Sequence, residues 1–408
     1  MAPKQISIND YTYTLDNERI AKYPKDKRDE SKLLIFDNGN ISENSFKNIA
    51  QYIPENSLLV TNNTKVIRAR LEFFKTTGAR IEVFCLEPHK PTDYNLSFAS
   101  TDNCQWVCIV GNLKKWKNGF LEKEVEINGK NTILKVERTG TINNAQIVDF
   151  SWDNPLLTFS DILENSGNIP IPPYLNRKSE VGDLTTYQTV YSKHKGSVAA
   201  PTAGLHFTDA VFESLKKRNI ERHEITLHVG AGTFKPVIAE SIGNHEMHTE
   251  HFIITQQTIP VLLKHLGSIT VVGTTTVRTL ESLYWLGVKI IEGEIFNENE
   301  FNLQQWEAYG LKQDIPVAEA LSKVHELVTA LNKHHINAST AIMIAPNYTF
   351  KVIDRLITNF HQPKSTLLLL IAAFVGKSWR NIYDYALNNS FRFLSYGDSC
   401  FLNNKKEQ

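Results

Sequence analysis

The sequence predicts a mixed α/β protein interrupted by a small all-β domain, on three observations. From about residue 156 onward, segments of helical period alternate with short strand-like runs. From about 67 to 155 the texture is all strand, with turn signals between short runs. A chain of 408 residues, 41% hydrophobic and 22% charged, has room for two or three domains with ordinary cores.

Taken in order, KLLIFD (32–37) reads as a strand closed by the turn NGN, and SLLVTN (57–62) as a second strand entered from PEN. RARLEFF, ARIEVFCLE, QWVCIVG, FLEKEVEING, TILKVERT and NAQIVDFSW follow, and KEVEI and KVE alternate as half-buried strands do. This segment predicts a small antiparallel barrel or sandwich. The division is therefore 1–66 and 156–408 for the main α/β domain, and 67–155 for the insert. Within the second part, TDAVFESLKKRN (208–219) is an amphipathic helix, EITLHVG (224–230) and SITVVG (268–273) are strands, and VRTLESLYWLG is a helix stopped by Gly287. Residues 316–335 form a strong helix whose apolar Val317, Leu321, Val324, Val328 and Leu331 step by four and three. LLLLIAAFV (367–375) is far short of the ~20 apolar residues of a membrane span and reads as a buried strand or core helix.

Lys+Arg and Asp+Glu are both 44, so a nucleic-acid contact must use a local patch rather than general charge. KYPKDKR (22–28), KKWK (114–117) and KKRNIERH (216–223) are basic clusters; in KKWK, Trp116 between lysines suits base stacking beside phosphate contact. The four cysteines form no C-x-x-C pair, which fits free thiols in a reducing compartment. The start, MAPKQISINDYTYTLD, has no apolar core of a signal peptide, and a cytoplasmic location is expected.

Five stretches carry candidate chemistry. GSVAAPTAGLHFT (196–208) is small and uncharged until His206; small residues let a backbone approach a ligand or another strand, and an imidazole beside them is a candidate proton carrier. TLHVGAGTFKPV (226–237) opens like a glycine loop, but Phe234 and Pro236 oppose a Rossmann-type turn into a helix. HEMHTEH (245–251) suggests either a metal site or acid/base work; no Cys or Asp stands nearby to complete a ligand set, so no metal is expected. GTTTVRTLES (273–282) places threonines at a helix start, where N–H groups bind carboxylate or phosphate and where threonine is also an ordinary cap. Arg278 and Glu281, one turn apart, form a surface pair or contact a ligand. TNFHQPKST (358–366) reads as a functional loop through Asn359, His361, Lys364 and Ser365.

These stretches, with IAKYPKDKRDESKLLIFD, LLVTNNTKVIRARL, IPIPPY, YQTVYSKHKGSVAAPTAGLHFT, LITNFHQPKSTLLLLIAAFVG and FRFLSYGDSCFL, resemble in order the S-adenosylmethionine:tRNA ribosyltransferase-isomerase family of queuosine biosynthesis. The resemblance implies an α/β main domain with a barrel-like mixed sheet flanked by helices, plus a small inserted all-β barrel domain. It implies no cofactor, S-adenosylmethionine (AdoMet) as a consumed ribosyl donor, and a tRNA carrying a 7-deazaguanine wobble base as acceptor. A monomer with no membrane association is expected. It also implies His206, His248 and Glu250 as catalytic residues. Substrate contacts would come from Ser197, Ala200, Thr202 and Gly204; from His228, Gly230, Gly232, Thr233 and His245; and from Thr274, Thr275, Thr276, Arg278, Asn359, His361 and Lys364. The chain departs from the family pattern at Arg68, where a proline is usual, at VGNLKKWKNG near 111, and at MIAPNYTF (343–350), where Asn347 replaces glycine. Residues 284–345, including the long helix, stand as an extra insert. A paralogue acting on another acceptor, or a non-catalytic tRNA-binding protein, are the alternative readings.

Overall fold

The computed structural model describes residues 3–142, 144–230 and 239–403. Its strands are β1 (Lys32–Asp37), β2 (Asn40–Ser45), β3 (Leu58–Asn62), β4 (Thr64–Val66), β5 (Arg70–Phe74), β6 (Arg80–Lys90), β7 (Asn103–Gly111), β8 (Phe120–Ile127), β9 (Lys130–Ile142), β10 (Ala145–Trp152), β11 (Gly167–Asn168), β12 (His194–Ser197), β13 (Glu221–His228), β14 (Glu250–Thr255), β15 (Ile269–Val272), β16 (Asn302–Leu303), β17 (His335–Thr340), β18 (Arg355–Asn359) and β19 (Ser399–Asn403). The helices are α1 (Tyr94–Ala99), α2 (Phe159–Ser166), α3 (Asp183–Thr186), α4 (Asp209–Lys216), α5 (Thr258–Lys264), α6 (Thr274–Ile291), α7 (Val317–Ala330), α8 (Thr366–Val375) and α9 (Trp379–Asn388).

The larger sheet among the described residues is mixed and runs β16-β17-β14-β13-β3-β15-β18-β19-β1-β2. Its centre, β13-β3-β15-β18, is parallel. Parallel strands are covered on both faces, so they read as continuous apolar runs; all five residues of β3 are buried. Asn62 closes β3 by bridging to β13: its Nδ2 donates to the Leu227 carbonyl at 3.0 Å and its Oδ1 accepts from the Leu227 N–H at 3.1 Å.

The second sheet runs β11-β5-β6-β7-β10-β9-β8 and is antiparallel. It curls into a half-barrel, and Lys123 on edge strand β8 donates to the Ser166 carbonyl beside the opposite edge at 2.8 Å. The alternation read in KEVEI is real: Leu121, Val125 and Ile127 of β8 point inward between exposed glutamates. Trp106, Trp116, Phe150 and Phe159 fill the curl. Trp116 is therefore not a base-stacking platform. It is fully buried, with its Nε1 donating to the Gly119 carbonyl at 2.9 Å, because an indole gains more from the core than three flanking lysines can offset.

Residues 284–345 are built into the main sheet. α6 does not stop at Gly287 but runs on to Ile291. The glycine serves a crossing: a Cβ there would lie 2.1 Å from the Ala320 carbonyl of α7. α7 buries Ala320, Leu321, Val324 and Val328 and ends earlier than residue 335, since Asn332 takes a left-handed φ of 51° and His335 opens β17. β17 then pairs antiparallel with β14, Glu250 opposite Thr340. LLLLIAAFV is helical, capped by Ser365, whose Oγ accepts from the Leu368 N–H at 3.1 Å. Among the described residues no helix is long and apolar enough to cross a membrane.

Candidate active site

In open α/β sheets ligands sit at the carboxyl ends of the parallel strands, and that is where the quoted stretches converge. β15 delivers Gly273 and the start of α6, β18 delivers Asn359 to Gln362, and β13 delivers His228 to Gly230. The segment Ala199–Ala203 crosses beneath them, tied to β13 by the Val198 N–H donating to the Val229 carbonyl at 3.1 Å. Together these edges border a cleft of ≈ 730 Å³, counting the part open to solvent, lined by Ala200, Thr202, Thr275, Asn359 and His361 among others.

A second cavity of ≈ 500 Å³, again counting the part open to solvent, adjoins it and shares Thr274, Thr275 and Leu367. Gly230, His245, Met247, His248, Glu250, Arg278 and Thr366 complete its wall. The chain from His245 to Thr249 has no regular structure and leads into β14, whose alternation turns Glu250 inward and His251 outward. Arg278 Nη1 donates to Glu250 Oε2 at 2.6 Å, and both side chains are less than a tenth exposed. Burial raises the Glu250 carboxyl above its ordinary range while Arg278 pulls it back. Arg278 Nε and Nη2 are buried with no hydrogen-bond partner among the described residues. The same residues hold no group of three or more His, Cys, Asp or Glu side chains placed to bind a metal ion.

A family model described as Queuosine biosynthesis protein matches residues 8–402. The chain belongs to the queuosine biosynthesis protein family. Within it, the chain is 36% identical to a protein of Finegoldia magna named S-adenosylmethionine:tRNA ribosyltransferase-isomerase, over 98% of this chain and 99% of the relative. A protein of the same name from Halothermothrix orenii is also 36% identical, over 97% of this chain and all of the relative. A crystal structure titled S-adenosylmethionine tRNA ribosyltransferase, from Thermotoga maritima, is 26% identical, with a TM-score of 0.45, covering 96% of this chain and 99% of that one.

The residues singled out in this member of the queuosine biosynthesis family divide into three groups. Ala200, Thr202, Thr274, Thr275, Asn359 and His361 line the first cavity, and Gly230, His245, His248, Glu250, Arg278 and again Thr274 and Thr275 the second. A further group lies outside both linings. Ser197 Oγ accepts from the Val229 N–H at 2.8 Å and meets Thr64 Oγ1 at 2.7 Å, which stitches β12 to its neighbours. Gly204 admits the Tyr191 hydroxyl, 2.0 Å from where a Cβ would stand. Thr276 Oγ1, in the first turn of α6, donates to the Val272 carbonyl at the end of β15. His228 lies against Tyr94 of α1, ring centroids 4.4 Å apart. Lys364 is exposed and outside both linings. The third group is Gly232 and Thr233, which lie outside the described residues. Tyr174, Gln362 and Ser395 line the first cavity without having been singled out, although each sits in a stretch that carries the family resemblance.

His206 is one layer back. It is buried against Phe46, ring centroids 5.1 Å apart, and faces a smaller cavity beside Arg28 and Tyr396. Thr202 Oγ1 donates to Asn359 Oδ1 at 2.8 Å, so the Asn359 amide nitrogen faces His206 Nε2, at 3.3 Å. His206 thus reaches the cavity through Asn359 and accepts at Nε2 as a neutral ring. Burial lowers its pKa to about 4, with Asp398 opposing. A histidine held neutral in the fold loses stability as pH drops below its unfolded value, because the unfolded chain gains the proton first. At pH 5 the loss relative to pH 7 is about 2 kcal/mol from this residue. Urea midpoints for wild type and His206→Gln, taken at pH 7 and pH 5, should therefore converge or cross as pH falls. Parallel shifts would show that His206 titrates in the folded state like a free imidazole.

Glu281, expected beside Arg278, does not pair with it. It is fully buried and turned to residues 348–353, where its carboxylate accepts three hydrogen bonds from the N–H groups of Lys351, Val352 and Ile353 and one from the Tyr348 hydroxyl. One helical turn carries Arg278 to the cavity and Glu281 to the packing behind α6.

Proposed function

We propose that this chain transfers and isomerises the ribosyl group of AdoMet onto 7-aminomethyl-7-deazaguanine at a tRNA wobble position, giving epoxyqueuosine and releasing adenine and methionine. The observation that carries the reading is the pair of adjoining cavities at the strand ends. One is walled by small and neutral polar groups, and the other by a buried arginine with donors that no described residue uses. Such a pair suits a long donor with a neutral nucleoside at one end and charge at the other. The names carried by the relatives at 36% identity support the same chemistry.

The sulfonium of AdoMet acidifies its C5′ protons, so the first step needs a base beside the ribose. His248 lines the second cavity at its junction with solvent and is the candidate base. Removal of that proton leaves an ylide-like carbanion that starts the loss of adenine. Departing adenine needs a hydrogen-bonding wall, which Thr202, Asn359 and His361 supply. His206 acts as a positioning residue, fixing the Asn359 amide so that the Thr202 hydroxyl oxygen keeps its lone pairs for the cavity.

The test is a single incubation with AdoMet and a tRNA bearing the aminomethyl-deazaguanine base. Free adenine is monitored and the digested tRNA is examined for epoxyqueuosine. Matched amounts of the two are expected. Adenine without the nucleoside would move the acceptor elsewhere and keep the donor chemistry. Neither product from folded protein would overturn the reading in favour of tRNA binding alone.

A further inference from the structure

Arg278 presents an edge that nothing among the described residues uses. Its Nη1 is committed to Glu250 at 2.6 Å, which leaves Nε and Nη2, the two parallel donors on one side of the guanidinium. That edge matches a planar two-oxygen acceptor. The side chain is 9% exposed and lines the second cavity, so the unused donors are a desolvated site rather than a solvated surface group. The start of α6 lies in the same wall at Thr274 and Thr275, and adds the positive end of a helix of 18 residues.

The neighbours narrow the acceptor. Glu250, buried in the same wall, would repel a phosphate dianion, whereas it would accept hydrogen bonds from an ammonium group. Met247 and Leu367 add apolar lining suited to a thioether chain. We propose that the second cavity is an amino-acid subsite, in which Arg278 takes the α-carboxylate, Glu250 the α-ammonium, and Met247 with Leu367 the side chain of the methionyl end of AdoMet. This assignment rests on AdoMet being the donor. It fixes the donor's direction, since the two cavities meet at Thr274, Thr275 and Leu367 and the ribose and adenine must then extend toward Asn359 and Thr202. It also makes L-methionine, the released product, a ligand of the same place.

The experiment is equilibrium dialysis of labelled AdoMet with the full-length protein, with L-methionine, 3-(methylthio)propylamine and inorganic phosphate as competitors, and calorimetry of L-methionine alone. L-Methionine should bind and compete, and the amine, which lacks only the carboxylate, should compete about 100-fold less well. Arg278→Lys, which keeps the charge but loses the two-donor edge, should weaken AdoMet about tenfold and methionine competition with it. AdoMet binding that ignores methionine and is unchanged in Arg278→Lys would overturn the subsite and leave the donor reading standing. Phosphate competing better than methionine would overturn it too. Methionine binding without AdoMet binding would keep the subsite and remove the donor reading. Binding of neither ligand would overturn both.

Discussion

Glu281→Ala should cost about 4 kcal/mol of stability, a large part of the 5–15 kcal/mol typical of a folded protein. Oε1 accepts from the Val352 and Ile353 N–H groups at 2.9 and 3.2 Å. Oε2 accepts from the Lys351 N–H and the Tyr348 hydroxyl, both at 2.9 Å. Tyr348 is itself held by Trp285 Nε1 at 2.7 Å. Burial raises the Glu281 carboxyl, and these hydrogen bonds draw it back down. Alanine would strand three backbone donors and a hydroxyl in a dry interior. Glutamine should do no better, because its amide nitrogen would face donors with a donor. Urea unfolding of both variants checks this, and a glutamine variant within 1 kcal/mol of wild type would end the argument that a charged acceptor is needed.

The second large effect is at Arg278. Arg278→Ala leaves Glu250 buried without a partner, and breaking such a pair typically costs about 3–5 kcal/mol. The double variant Arg278→Met/Glu250→Gln removes both charges and should recover most of that stability. Adenine release should be lost in the single and the double variant alike, because the donor's anchor is gone from both. The comparison separates two roles of one side chain. Recovery of stability without activity is the expected pair of readings; recovery of both would remove Arg278 from substrate contact.

Local pattern made much of this molecule legible. The strict alternation of KEVEI, the closing turn NGN after KLLIFD and the amphipathic pattern of TDAVFESLKKRN are short-range signals, and β8, β1 and α4 follow from them. LLLLIAAFV stayed open between strand and helix because it is apolar all round, although Ser365 before it was a cap in plain view. Gly287 misled for another reason: its cause lies in the Ala320 carbonyl of a helix 30 residues further on, and no window around it contains that partner. The site behaved the same way. Thr274, Thr275 and Arg278 could be picked from a strand-to-helix junction alone. The placement of His206 and His228 outside both linings depended on Phe46, Asn359 and Tyr94, which are distant in sequence.

The pairing of β17 with β14 has a consequence for how this enzyme could be shortened. β14 carries Glu250, and β13 and β17 flank it on either side. A version of the chain trimmed through residues 300–345 would bare one margin of β14, with its N–H and C=O groups unsatisfied and open to capture by another molecule's strand. The carboxylate that holds Arg278 would then ride on a frayed border in place of an interior rib. The curated relatives match 97–98% of this chain over 99–100% of their own length, so the segment expected to be an insert is not added length; mechanically it is the buttress that keeps the wall around Arg278 from opening like a hem.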